Sequence, residues 1–317
     1  MNYTINPVPQ RVLDMRKAWA FADAQRDAGL KEPEDITKFR NISYGPFDEW
    51  NLLDLYIPDS PDKNICLTLK SGNSDKTVSG WPVIMNIHGG GFFYGDKELY
   101  RFYCMHLAQY GFAVINYNYR LAPEFRFPSP IEDAVGVLNW ISENADKYGL
   151  DKNTIFITGD SAGGQLTSQM GCILTNRQYS ELFGLNIPMD ICVRGLSLAC
   201  GIYSFPASKE TDRIDDMQRD YFGDIHMLDD EKVRVVDHIT GDYPPALVFS
   251  SYCDFLYEAC KPMADLITSR GGEAEYRIFG SKDRADIGHV FHVNLKLEEG
   301  EKANKAQIGF FKRHIKA

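Results

Sequence analysis

The sequence lacks a regular arrangement of cysteines, an excess of basic residues and any long apolar run. Its seven cysteines are scattered over 317 residues and include no C-x-x-C pair. An odd, scattered set does not predict a disulfide framework, and without the pair a common zinc pattern is missing. The formal net charge of −10 argues against a nucleic-acid or anionic-membrane partner, because either requires a basic surface. We therefore expect neither partner and no bound metal.

Membrane and secretion signals are also missing. No stretch approaches the run of about eighteen apolar residues that a membrane helix needs, and residues 1–6 lack the basic and apolar segments of a signal peptide. These absences predict a cytoplasmic protein without stable membrane insertion. No internal repeat divides the chain, and α/β folds of more than about 250 residues commonly form one unit. We expect residues 1–317 to form a single domain, with homo-oligomerisation left open.

The most informative motif is Gly-Asp-Ser-Ala-Gly at residues 159–163. It follows a β-branched, apolar stretch at 153–158 that predicts a buried strand, and a predicted helix extends from Ala162 to Arg177. The G-x-S-x-G pattern is typical of a serine on a sharp strand-to-helix turn, where free N–H groups stabilise a developing anion. Ser161 is therefore a candidate nucleophile. Five-residue matches also occur by chance in glycine-rich turns, so the hypothesis needs further context.

A triple-glycine motif supplies part of that context. His88-Gly-Gly-Gly-Phe92 follows an apolar strand pattern at 81–87. Consecutive glycines leave backbone N–H groups free to turn toward an oxyanion, as acyl transfer requires. We assign the donors to Gly89, Gly90 and Ala162. A flexible linker is the alternative, but linkers are polar and repetitive, whereas this segment lies between a buried strand and aromatic residues.

A nucleophilic serine requires a base, and the base requires an acid group that orients it. In α/β hydrolases the chain order is serine, acid, histidine. Asp254 lies just beyond a buried-strand pattern at 244–251 and is the candidate acid. His289 ends a polar loop after the next predicted strand and is the candidate base, while His292 is the competing choice. His88 precedes the serine, so we interpret it as bracing its loop.

These motifs, with others, resemble the hormone-sensitive-lipase-like branch of the α/β hydrolases, which includes bacterial carboxylesterases and acetyl esterases. The resemblance extends from about Ile42 to Ala317. It implies a triad of Ser161, Asp254 and His289, and an oxyanion hole of Gly89, Gly90 and Ala162. The sequence departs from the family pattern at Val290, where glycine is common after the histidine. The motifs that carry the resemblance are His88–Phe92, Tyr119–Glu124, Phe127–Pro128, Glu132–Ala134 and Gly159–Gly164.

The front of the chain has a second likeness. Ser43–Phe47 and Leu52–Pro58 look closer to acetyl-xylan and feruloyl esterase-like proteins, which leaves the substrate class open. The two segments also suit an opening hairpin.

Strand patterns alternate with helix patterns along the chain, which predicts a mostly parallel central sheet flanked by helices. We expect the α/β-hydrolase fold with a small helical cap formed by residues 1–40 and an insertion at 201–242. A predicted helix from Val12 to Ala28 precedes the first strand and places Phe21 on its apolar side. Residues 71–76 predict a solvated loop.

Aromatic residues are the candidate substrate contacts. For the four that belong to the insertion at 201–242, the alternative is that they pack the insertion onto the sheet, and the sequence leaves both interpretations open. The candidates are Phe92, Tyr203, Phe205, Tyr221 and Phe222.

The Arg120–Glu124 pair and Asp160 are polar, and we expect them to have structural roles. Arg120 and Glu124 bracket an Ala-Pro turn, so we expect an ion pair that fixes this loop. Asp160 is expected to shape the serine turn through hydrogen bonds, without a catalytic role.

Together these features predict a serine carboxylesterase that needs no cofactor and acts on small, uncharged or weakly polar short-acyl esters. Amide or peptide hydrolysis, or hydrolysis of acetyl-xylan or feruloyl-type esters, is the enzymatic alternative because the same triad cleaves these bonds. A ligand-binding receptor or pseudoenzyme on the same scaffold is the alternative from another class. That alternative predicts a missing triad residue, and all three candidates are present.

Overall fold

A single sheet organises the part of the chain that the computed structural model describes, residues 5–60 and 80–315. The predicted loop at 71–76 lies outside these ranges. The strand order is β1-β2-β4-β3-β5-β6-β7-β8. The first two strands run antiparallel to their neighbours, and β3 to β8 are parallel. The strands are β1 (Ile36–Ser43), β2 (Leu52–Pro58), β3 (Trp81–Ile87), β4 (Ala113–Tyr117), β5 (Leu150–Asp160), β6 (Val193–Ala199), β7 (Ala246–Ser251) and β8 (Ala274–Phe279).

Helices flank this sheet, which confirms the predicted fold class. No helix of the described ranges is both long and apolar enough to cross a bilayer. The α-helices are α1 (Gln10–Asp27), α2 (Lys97–Ala108), α3 (Ser129–Tyr148), α4 (Ala162–Thr175), α5 (Arg177–Phe183), α6 (Asp216–Phe222), α7 (Tyr257–Ser269) and α8 (Glu298–His314).

The central strands are buried on both faces because helices cover the parallel sheet on each side. This explains why β3 and β7 are almost continuously apolar in sequence. The carboxyl ends of β3, β5 and β7 meet at the same edge, where ligand sites of open α/β sheets lie. The glycine loop and Ser161 follow β3 and β5 directly, and Asp254 lies three residues beyond the end of β7.

Helix α1 contacts the molecule through a mixed polar and apolar face. Val12 is its fully buried residue, and Arg16 holds it by a two-pronged ion pair with Glu124 at 2.7 and 2.8 Å. The Arg16 Nε–H also donates to the Phe93 carbonyl. The predicted apolar side is wrong at Phe21, which is 69 % exposed.

The Arg16 bond also corrects the predicted pairing of Arg120 with Glu124. The Arg120 guanidinium instead binds Asp133 at 2.9 Å and Glu132 at 2.6 Å. The loop is therefore fixed by charges, but each of the two residues has a partner elsewhere in the chain.

The insertion at 201–242 contains α6 and three short 3₁₀ turns at Thr211–Arg213, Ile225–Asp229 and Val235–His238. Arg11 of α1 binds Asp220 of α6, with its second terminal nitrogen 2.8 Å from Oδ1. The two segments that we expect to act as a cap are thus in direct contact.

Candidate active site

Ser161 lies on a tight turn between β5 and α4. Its backbone has φ +54°, an uncommon value for a residue with a side chain. Glycine is required on both sides of the turn. A Cβ at Gly159 would lie 2.3 Å from the Gly163 carbonyl oxygen, and one at Gly163 would lie 2.0 Å from that of Ile87. The spacing of the motif therefore follows from the sterics of the turn.

Three side chains form one hydrogen-bonded chain at this turn. His289 Nε2 lies 2.9 Å from Ser161 Oγ, and His289 Nδ1 lies 2.8 Å from Asp254 Oδ1. Asp254 also accepts bonds from the Ser250 hydroxyl at 2.6 Å and the Leu256 N–H at 2.9 Å. Burial raises the pKa of Asp254, but the His289 and Ser250 bonds outweigh it and hold the pKa below its ordinary value. Asp254 is thus kept as an anion beside the imidazole.

The geometry separates the two candidate histidines. His292 is buried within the 3₁₀ turn Phe291–Val293, with its ring centroid 5.4 Å from that of Tyr103 and 5.2 Å from that of Phe249. Burial lowers its pKa to about 3. The structure therefore brings His289, and not His292, to Ser161.

The departure at Val290 has a structural counterpart. This β-branched residue has φ +51°, in the left-handed region that favours glycine, at a cost of about 1 to 3 kcal/mol. Its backbone turns the chain between His289 and the buried 3₁₀ segment.

The glycine loop differs from the expectation at its first residue. The Gly89 N–H donates to the Tyr100 hydroxyl at 3.0 Å, so an oxyanion would have to compete with Tyr100 for it. The N–H groups of Gly90, Gly91 and Ala162 make no hydrogen bond among the described residues, and all three residues line the cavity at Ser161. They are the better-placed donors.

Asp160 and His88 are buried supports of the two loops. Burial raises the pKa of Asp160 to about 6, although a 2.8 Å bond from the Tyr100 hydroxyl opposes this rise. His88 stacks on Tyr119 with ring centroids 4.1 Å apart, and its Nδ1 lies 2.7 Å from the Gly89 carbonyl oxygen. Burial lowers the pKa of His88 to about 4. Both residues have the structural environment that the sequence predicts.

A cavity of about 520 Å³ opens at Ser161. The lining residues are Trp19, Ala22, Asp23, Arg26, Gly89, Gly90, Gly91, Phe92, Tyr94, Tyr100, Asp160, Ser161, Ala162, Ile202, Phe205, Asp215, Met217, Gln218, Phe255, Leu256, His289 and Val290.

Two of the five aromatic candidates, Phe92 and Phe205, line this cavity. Tyr203, Tyr221 and Phe222 are buried and do not line it, so predicting them as substrate contacts is wrong. They pack the insertion onto the sheet, as the alternative interpretation holds.

Sequence reasoning missed part of the wall. Asp23 and Arg26 of α1 line the cavity, and the Asp23 carboxylate accepts bonds from Arg26 at 2.8 Å and from Tyr94 at 2.6 Å. Met217 and Phe255 are further lining residues. The helical spacing from Trp19 to Asp23 and Arg26 places these residues on one face of α1. This spacing was the sequence signal that could have identified Asp23 and Arg26 as cavity residues.

One set of metal-type ligands also lies here. Cys200 Sγ, an Asp254 oxygen and a His289 nitrogen are within 4.8 Å of one another. The 2.8 Å separation of the Asp254 and His289 atoms is that of a hydrogen bond, whereas two ligands of tetrahedral zinc would be about 3.3 Å apart. The geometry therefore fits a proton between these atoms better than a metal ion.

Comparison with known proteins identifies the class. Residues 84–292 match the family model described as alpha/beta hydrolase fold, and the chain belongs to this family. This confirms the resemblance to the superfamily and to its hormone-sensitive-lipase-like branch, while the likeness to acetyl-xylan and feruloyl esterases stays a prediction.

Individual relatives carry esterase and deacetylase names. Ethyl acetate hydrolase of Pseudomonas putida is 32 % identical over 149 residues, which are 43 % of this chain and 45 % of that protein. Arylacetamide deacetylase of Bos taurus is 34 % identical over 126 residues, covering 35 % of this chain and 32 % of that protein. The chain therefore matches less than half the length of these two relatives.

Solved structures match over nearly the whole chain. Esterase B from Lactobacillus Rhamnosis superposes with a TM-score of 0.80 at 26 % identity, covering 96 % of this chain and 93 % of that one. A structure of the same esterase inhibited by a C4-C4 tributyrin phosphonate has the same score and identity, covering 97 % and 96 %.

Proposed function

We propose that the protein is a carboxylic ester hydrolase that works through a covalent acyl-enzyme on Ser161. The observation that carries this proposal is the continuous chain from Ser161 Oγ through His289 to Asp254, with both links under 3 Å. A serine hydroxyl is a weak nucleophile until a base at hydrogen-bond distance accepts its proton. Asp254, held as an anion, orients the imidazole and stabilises its protonated form.

The reaction has two matched halves. Ser161 Oγ attacks the ester carbonyl while His289 Nε2 takes its proton, and a tetrahedral oxyanion forms. This intermediate collapses when His289 returns the proton to the leaving alcohol. Water then attacks the acyl-enzyme with the same base, and the acid product and free Ser161 are formed. Every proton in this cycle passes through His289.

The oxyanion needs donors that are free before the substrate arrives. We assign this role to the N–H groups of Gly90, Gly91 and Ala162, replacing Gly89, whose N–H is occupied by Tyr100. Ala162 also begins α4, so the positive end of that helix faces the developing charge.

The charge of the cavity favours neutral esters. Asp23, Asp160 and Asp215 line it. Arg26 is the only lysine or arginine among its described lining residues, and its guanidinium is bound by Asp23 and Asp27. A substrate carboxylate would therefore meet uncompensated negative charge.

We further propose that α1 and the 201–242 insertion form a cap over the cavity and that short acyl groups are preferred. Phe92 and Phe205, with ring centroids 6.2 Å apart, bound the cavity on the insertion side. The named substrate of ethyl acetate hydrolase and the tributyrin-type inhibitor of esterase B carry acyl groups of two and four carbons. Both relatives support the proposal.

The proposal is tested with purified protein and p-nitrophenyl butyrate, comparing wild type with Ser161→Ala. We expect the variant to lose at least about a thousandfold in kcat while its circular dichroism spectrum is unchanged. A parallel p-nitroacetanilide assay tests the amidase alternative. An inactive wild type that still binds esters would support the receptor alternative, and near-normal turnover by Ser161→Ala would refute the mechanism.

A further inference from the structure

One phenol oxygen joins the two loops that meet at the cavity floor. The Tyr100 hydroxyl donates to Asp160 Oδ2 at 2.8 Å and accepts from the Gly89 N–H at 3.0 Å. Asp160 immediately precedes Ser161, and Gly89 immediately precedes the glycines whose N–H groups we assign to the oxyanion. Tyr100 itself belongs to helix α2 and to neither loop.

The sheet brings the two loops side by side. Strands β3 and β5 are paired so that Ile87 lies opposite Gly159, and the loops begin just beyond this pair. Gly89 then packs against Asp160 so closely that a Cβ on Gly89 would lie 2.3 Å from Asp160 Oδ2. Consecutive glycines have high backbone freedom. The bonds from the Phe93 and Tyr94 N–H groups to the Gly90 carbonyl hold the loop locally but do not reach the Ser161 turn, whereas the Tyr100 hydroxyl bonds to both loops.

Burial makes this bond strong. Tyr100 is 7 % exposed and Asp160 is 1 % exposed, and hydrogen bonds in such surroundings are little weakened by water. Asp160 Oδ1 has no hydrogen-bond partner among the described residues. Tyr100 is therefore the side chain that orients this carboxylate.

We propose that Tyr100 is a positioning residue that sets the distance between the Ser161 turn and the oxyanion donors of Gly90 and Gly91. This inference rests on the proposed ester hydrolysis. The donors act on charge that develops in the transition state, so losing their position lowers kcat and leaves substrate binding almost unchanged.

The test compares Tyr100→Phe with Tyr103→Phe on p-nitrophenyl butyrate. Tyr103 lies on the same helix, is equally buried, and its hydroxyl accepts a 3.1 Å bond from Gln307. Both variants lose one buried phenol hydroxyl. We expect Tyr100→Phe to lower kcat by about 10- to 100-fold with KM changed less than about threefold, and Tyr103→Phe to change kcat less than about twofold. Equal kcat losses in the two variants, or a Tyr100→Phe effect confined to KM, would overturn the proposal.

A second comparison tests whether Tyr100 acts through Asp160. Asp160→Asn keeps an acceptor oxygen for the phenol, whereas Asp160→Leu does not. We expect Asp160→Asn to retain a higher kcat than Asp160→Leu. When Tyr100→Phe is added to Asp160→Leu, we expect kcat to fall by less than about a further threefold. If the kcat loss of the double variant equals the product of the two single losses, Tyr100 does not act through Asp160.

Ser161→Ala is measured alongside these variants. Its activity decides the proposed function separately: if it is inactive while Tyr100→Phe behaves like Tyr103→Phe, only the positioning role fails.

Discussion

Tyr221 stacks on Phe92, with ring centroids 3.9 Å apart and ring planes 7° from parallel. Phe92 lines the cavity, whereas Tyr221 is buried behind it with a phenol oxygen that has no partner among the described residues. The ring of Tyr221, and not its hydroxyl, therefore fixes this wall.

We predict that kcat/KM peaks at acetyl to butyryl esters and falls beyond about six to eight carbons. Each methylene that finds a fitting pocket contributes about 0.8 kcal/mol, so a fixed wall produces a sharp maximum. Tyr221→Leu ends the stack and should move the maximum to longer acyl chains, whereas Tyr221→Phe should leave it in place. A p-nitrophenyl ester series from acetate to palmitate measures all three proteins. A wild-type maximum at decanoate or longer would contradict the fixed wall.

The histidines give a second prediction. His289→Ala should lower kcat as severely as Ser161→Ala, because it removes the group through which every proton passes. His292→Phe should retain kcat within a few fold, since the His292 ring contacts aromatic side chains and not the serine. Steady-state kinetics with p-nitrophenyl butyrate compare the two. The reverse ranking would place the base three residues later.

Charge selectivity gives a third prediction. Methyl butyrate and monomethyl succinate both have four-carbon acyl groups, but only the second carries a carboxylate. We expect its kcat/KM to be at least about tenfold lower, which corresponds to about 1.4 kcal/mol of repulsion. Asp23→Asn should reduce the difference in kcat/KM between the two esters. The control is Asp14→Asn, which makes the same change at an exposed site on α1 and should leave the difference unchanged. Proton release followed in a pH-stat is the measurement, and equal wild-type rates for the two esters would refute the negative cavity.

A fourth prediction concerns stability at acid pH. Burial lowers the pKa of His88 to about 4 and that of His292 to about 3, from an ordinary 6.5. Below pH 6.5 the unfolded chain binds these protons and the folded protein does not, so stability falls as pH falls. Burial raises the pKa of Asp160 to about 6. This shift stabilises the folded protein as the pH falls and offsets the loss of stability from about one of the two histidines.

The two histidines and Asp160 together should contribute a loss of about 3 kcal/mol between pH 7.5 and 4.5, and His292→Phe should remove most of that contribution. Urea unfolding at the two pH values checks both statements. Wild type that is equally stable at pH 4.5 would show that these histidines can charge in the folded state.

The sequence predicted the parts of the fold that are locally encoded. The strand at 81–87 was predicted at the bounds observed, and the helix predicted from Ala162 to Arg177 ends only two residues earlier, at Thr175. These segments have continuous apolar runs or clear helical spacing, and little else in the fold competes with those signals.

What the sequence did not predict depends on contacts between distant segments. Nothing near Gly89 indicates that its N–H is taken by Tyr100, eleven residues later on a helix. Tyr203 and Tyr221 lie in a segment with little regular structure, so no period indicated whether their rings face the cavity or the core. Phe21 was wrongly predicted on the inward side of α1, because that side carries Arg16 and Asp23 and is not marked by apolar residues alone.

The largely polar attachment of helix α1 has a consequence for how this protein can diversify. The helix supplies Trp19, Asp23 and Arg26 to the cavity, yet only Val12 is fully buried, and Arg16 grips backbone carbonyls and one carboxylate. We expect an element attached in this way to tolerate exchange. A different helix with an arginine in the same register could bring a new wall to the same serine, so substrate range can diverge through this one helix while the machinery on β3, β5 and β7 stays untouched.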